Sequence, residues 1–228
     1  MKWWRMLRGR KGPNFSKLFI VTQAFDKFQR TIRRCEGLID NYNALAQAAH
    51  DQQNAPDPAK DIVRGAVVLS VAALDSWATD AFSEGLTTYL RTRSPDETLV
   101  NMLSDAGLDA RQALEMINMQ RPYRRIATLV RWHHAKHTTQ DLKVIDKLFS
   151  HYRLPKLSEH AERRSGRLTL RSSVETIVHR RHQIVHEGDY NNHRRLRAVD
   201  VRVVGRRIRD IELLVEHMDA IFTRRVWG

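Results

Sequence analysis

The stretch from Asp61 to about Thr92 constrains the fold most. Within it the run from Gly65 to Leu74 is apolar on nearly every side when read at helical period. A helix apolar all round belongs at the middle of a bundle, because no face of it can be left to water. The remaining elements must therefore surround it, and their periodicity is helical as well.

Phe15 to about Gln52 reads as a long amphipathic helix that buries Leu18, Val21, Phe25, Phe28, Ile32, Leu38, Ile39, Tyr42 and Leu45. The cluster Asn54-Ala55-Pro56-Asp57-Pro58 ends it. Ser94-Pro95-Asp96-Glu97 is a helix start, and short helical pieces follow to about Tyr152, broken near Gly107 and before Pro122. Residues Arg153 to Arg167 are polar and basic, carry Pro155 and Gly166, and read as a mobile loop. A helix from about Leu170 to Glu187 follows. Asp200 then caps a last helix that turns Val204, Ile208, Ile211, Val215, Met218 and Phe222 to one side. No hairpin signal or internal repeat stands out, so the expected class is all-α, with the 228 residues forming one domain.

A net charge of +13 implies a polyanionic partner, nucleic acid or an anionic surface. The N-terminal arm, residues 1–13, is basic but has no apolar core long enough for a signal peptide, and no later run approaches a membrane span. With a single cysteine, Cys35, there is no internal disulfide. The expectation is a cytoplasmic protein that binds no membrane. A floppy terminus is the expectation for the arm, with Trp3 and Trp4 stacking on bases or docking a partner as the alternative.

The chemistry gathers at Arg181-His182-Gln183-Ile184-Val185-His186-Glu187-Gly188. Val174, Ile177, Val178, Ile184 and Val185 make an apolar stripe, and Arg181 falls within it. A guanidinium on such a line must be paired or presented to an anion. Gly188 is a helix stop, which places His186 in the last turn, where cations are favoured. Other arginine and histidine pairs at similar spacing, Arg131 with His137, Arg153 with His160 and Arg180 with His186, lack one or both of these features.

This string resembles the motif of the HEPN superfamily, an arginine, a polar residue and then a histidine at the end of one helix of a small bundle. The stretch Arg64 to Trp77, with its acidic Asp75, is similar to that family's central helix. The resemblance implies a HEPN-like helical bundle with residues 94–168 as a helical insertion between the central helix and the motif helix. It also implies metal-independent cleavage of single-stranded or loop RNA, of the kind used in toxin-antitoxin and phage-defence systems. Arg181 and His186 would be catalytic, His182 would assist, and Asp75 would orient the motif. A homodimer would bring two motifs together, and an antitoxin or defence protein would be a further partner. The alternative is a HEPN module without catalysis that binds RNA or a protein. Tyr190 stands four positions after His186, whereas members modified by a nucleotidyltransferase antitoxin carry a tyrosine two positions after it.

Asp75 lies on the face of Val68 and Val71, where an ionised carboxylate needs a cation. Two readings stay open, a pair with Arg181 or a contact with solvent or a surface arginine. Arg180, Arg194, Arg195 and Arg197 are the expected phosphate contacts, and Arg206, Arg207 and Arg209 add a second basic cluster. His133, His134 and His137 include an i, i+4 pair, but no zincin glutamate accompanies them, and surface or RNA-contacting histidines are the better account. No metal or other cofactor is expected.

Overall fold

The computed structural model describes residues 22–50, 58–134 and 141–228. Among them nine α-helices occur: α1 Gln23–His50, α2 Pro58–Thr92, α3 Glu97–Asp105, α4 Ala110–Ile117, α5 Pro122–His134, α6 Leu142–Ser150, α7 Leu157–Ser165, α8 Leu170–Glu187 and α9 Val201–Trp227. There is no strand among the described residues, only an isolated antiparallel bridge between Tyr190 and Leu196. Leu18, Val21 and the arm at residues 1–13 lie outside the described residues.

α2 occupies the middle and is packed by α1, α5, α8 and α9. Val67, Val71, Leu74, Trp77, Phe82 and Leu86 on it are all essentially buried. Each such side chain contributes roughly 1.5–3 kcal/mol through apolar burial. By length and composition Ala59–Thr92 would also suffice to cross a membrane, with a mean hydropathy of 1.4 over its most apolar stretch. That corrects the expectation that no run approaches a span.

α9 approaches α2 at Gly85, where an added Cβ would stand 2.4 Å from Cζ of Phe222. Glycine is required there because a rigid ring cannot yield as a flexible chain end does. Phe222 joins an aromatic cluster that crosses the sequence: Phe149 and Tyr152 each lie 5.0 Å from it edge to face, and Trp77 stacks on Phe149 at 5.5 Å. The Tyr152 hydroxyl donates to the backbone carbonyl of Phe82 at 2.5 Å. The segment between the central and motif helices thus contributes to the core.

Two expectations about the segments change. The basic stretch read as a loop contains α7, whose Leu157, Ser158 and Ala161 are buried against its neighbours while Arg163 and Arg164 face water. Pro155 precedes this helix, and Gly166 ends it in the left-handed conformation, so the breakers bound a helix instead of interrupting one. Leu45, expected in the core, is half exposed; the buried line of α1 runs through Ala24, Phe28, Ile32 and Cys35.

Candidate active site

α8 forms where the sequence places it. Leu170, Ser173, Val174 and Ile177 bury one face against α2 and α9, and the helix closes at Gly188 with φ 61°. Asp189 follows, also left-handed with φ 63°, and its N–H donates to the carbonyl of Gln183 at 3.1 Å. Aspartate is among the few side-chain-bearing residues that adopt this conformation readily.

Two successive left-handed residues turn the chain back under the helix end. The Asn191 N–H donates to the Arg195 carbonyl at 2.9 Å, and the Asn191 side-chain oxygen accepts from the N–H groups of His193 and Arg195 at 2.9 and 3.0 Å. The Arg197 N–H closes the base on the Asp189 carbonyl at 2.9 Å. Residues 188–198 therefore form a small hairpin-like loop with Arg194 and Arg195 exposed at its tip.

The carboxylate of Asp189 is 1% exposed and is gripped from two helices. Nε of Arg64 donates to Oδ2 at 2.6 Å, and the two terminal nitrogens of Arg180 lie 2.5 and 2.8 Å from Oδ1 and Oδ2. Arg64 also reaches Asp61 at 3.0 Å and the Arg197 carbonyl at 2.9 Å. Arg180 further donates to Gln183 and to the carbonyl of Ala198. Burial lowers the pKa of Arg180, Arg64 and Arg197 push it the same way, and Asp189 opposes them. Loop, central helix and motif helix are thus joined through one carboxylate.

Arg180, expected to contact phosphate, is instead committed to this pair, and Arg197 has its backbone in the loop base and its side chain 3.4 Å from Glu187. Arg181 is half-buried, and its Nε is withdrawn from solvent without a hydrogen-bond partner. His182 and His186 are exposed, with ring centres 4.5 Å apart and planes tilted by 43°. Of the two readings left open for Asp75, the pair with Arg181 gains no support: the buried Nε of Arg181 has no hydrogen-bond partner, and Asp75 has contacts of its own. The buried carboxylate at this helix end is Asp189.

On one side of the motif, the start of α6 and Glu175, Val178, His179 and His182 of α8 line an open cleft of about 490 Å³. Val185, Tyr190 and Leu196 add exposed apolar surface at the helix end. Among the described residues no group of three or more His, Cys, Asp or Glu gathers as a metal site, and His137 lies outside them.

Sequence reasoning missed Arg64 and Asp189. Arg64 could have been found, since it interrupts the apolar line of α2 as Asp75 does. Asp189 stands beyond the helix stop, where helical period says nothing about direction. Neither a protein-family model, nor a curated protein, nor a solved structure matches this chain.

Proposed function

We propose that the chain is a HEPN-type endoribonuclease that cleaves single-stranded or loop RNA without a metal. One observation carries the reading: the last turns of α8 present two exposed imidazoles, His182 and His186, beside an arginine whose guanidinium has an unspent buried nitrogen, while the neighbouring arginine is tied to a carboxylate. The packing of α1, α8 and α9 around α2, with α9 touching both of the others and α3 to α7 lying between α2 and α8 in the chain, supports a HEPN-like bundle with an insertion.

The ribose 2′-hydroxyl is the nucleophile. His186 removes its proton, the oxygen bonds to phosphorus, and the bond to the 5′-oxygen breaks. That oxygen takes a proton from a second imidazole, His182 or the His186 of another protomer. Arg181 stabilises the charge growing on the phosphoryl oxygens. The products are a 2′,3′-cyclic phosphate and a 5′-hydroxyl. In-line attack needs a backbone free to rotate, which favours unpaired RNA over a stacked duplex. Since one protomer offers a single Arg181 and His186, a homodimer supplies a fuller set, and a toxin-antitoxin or phage-defence role follows from the family reading.

The test is incubation of purified protein with RNA in EDTA, with mapping of both product ends. Cleavage is expected to persist with cyclic phosphate ends, and His186→Ala to lower the rate about 10²–10⁴-fold while RNA is still bound. Cleavage that stops in EDTA and returns with added zinc or magnesium overturns the mechanism. A His186→Ala protein as active as wild type overturns the assignment of the base.

A further inference from the structure

We infer that Asp189 is a positioning residue that decides which of two adjacent arginines meets the substrate, holding Arg180 back so that Arg181 is the guanidinium offered to phosphate. The inference rests on the proposed cleavage reading and extends it to a residue outside the motif.

Arg180 and Arg181 are neighbours on one helix, and both stand at a spacing from His186 that an arginine side chain can span. Their environments separate them. Arg180 has acceptors at Gln183, Asp189 and Ala198, whereas Nε of Arg181 has no hydrogen-bond partner. Asp189 cannot simply follow Arg180 outward, because Arg64 anchors the same carboxylate from α2 and is itself 8% exposed. The left-handed turn at Gly188 and Asp189 leads into this contact, and the carboxylate it carries is buried whereas His186 is exposed.

Without the negative charge, Arg180 shares a partly buried site with Arg64 and Arg197, which repel it, and its easiest escape is toward solvent and a bound phosphate. A second, misplaced guanidinium then grips RNA without stabilising the reacting group. Binding and turnover should move in opposite directions, which loosened folding alone would not produce.

Asp189→Asn isolates the charge, since asparagine keeps the shape and tolerates the left-handed backbone. In this variant kcat is expected to fall about 10²-fold, as for a displaced catalytic group, while KM stays level or drops. Affinity for a single-stranded oligonucleotide, measured in the His186→Ala background, should become more salt-dependent, the slope steepening by about 0.7 for one added phosphate contact. Adding Arg180→Gln to Asp189→Asn should return kcat toward wild type. Unchanged kinetics, or a fall in kcat with an unaltered salt slope and no rescue, overturns the inference.

A measurement on the wild-type protein guards against variants that fail to fold. Phenylglyoxal labelling mapped by mass spectrometry should modify Arg181 faster than Arg180, and equal or reversed rates overturn the inference. Wild-type protein that neither binds nor cleaves RNA overturns the functional reading instead, and the labelling still judges whether Asp189 withholds Arg180.

Discussion

Asp189 and Asp219 are both nearly removed from water, at 1% and 5% exposure, but different chemistry surrounds them. Asp189 at the motif end meets two guanidiniums, Arg64 and Arg180. Asp219 on α9 sits in the core and receives neutral donors: the Thr22 hydroxyl at 2.8 Å, the Trp77 indole N–H at 3.1 Å and the Thr223 hydroxyl at 3.4 Å. Burial raises the pKa of the Asp219 carboxyl, the hydrogen bonds from Trp77 and Thr22 restrain the rise, and the charge of Glu84 adds to it. One carboxylate is therefore a charge partner, and the other serves as a hydrogen-bond hub. A buried cation cannot lose its counter-ion cheaply, whereas a hub of neutral donors needs only an acceptor.

The largest effect that could break this contrast is on stability. Asp189→Asn leaves Arg64 buried without its main counter-ion and should cost about 3–5 kcal/mol in denaturant unfolding. Asp219→Asn keeps an oxygen for Thr22 and Trp77 and should cost about 1 kcal/mol. Equal costs would erase the distinction.

A finer effect is in pH. Because the folded-state pKa of Asp219 is raised above 3.8, the native protein holds this proton over a pH interval where the unfolded chain has released it. Its contribution is therefore most favourable at low pH and declines as pH rises from about 4 through the raised value. Unfolding curves of wild type and Asp219→Asn should diverge in that direction, with the variant gaining relative stability as pH increases. A difference independent of pH would show that folding leaves the pKa of this carboxyl where it stands in the unfolded chain.

The smallest effect belongs at the rim of the motif end. Glu187 is 45% exposed and lies 3.4 Å from Arg197. Glu187→Gln should change stability by less than ~1 kcal/mol, since an exposed pair is screened by water. A cost approaching that of Asp189→Asn would mean that the whole acidic set acts as one unit.

The same local and remote division governs what the sequence showed beforehand. The Leu170–Glu187 helix, its stop at Gly188 and the Asp200 cap of α9 were legible and stand as read. So was the inward line of α9, with Val204, Ile208, Ile211, Val215, Met218 and Phe222 all buried. α7 was not, because its nine residues carry few apolar anchors and their burial depends on distant helices. At the site, the sequence brought Arg181, His182 and His186 to one helix end, and the structure keeps them there. It also left open a pair of Asp75 with Arg181, a reading based on a shared apolar character that does not measure proximity.

By itself, then, the sequence determined the helices around the motif, their caps and the central place of α2. Those features arise from bonds and contacts within a few residues, and from an apolar face that has to be covered whatever covers it. Only the tertiary structure decided that Arg180 is spent and Arg181 is not. That outcome depends on Arg64 meeting Asp189 across 125 positions of sequence. Pairing of buried charges follows distance and desolvation in three dimensions, and neither is written in residue spacing.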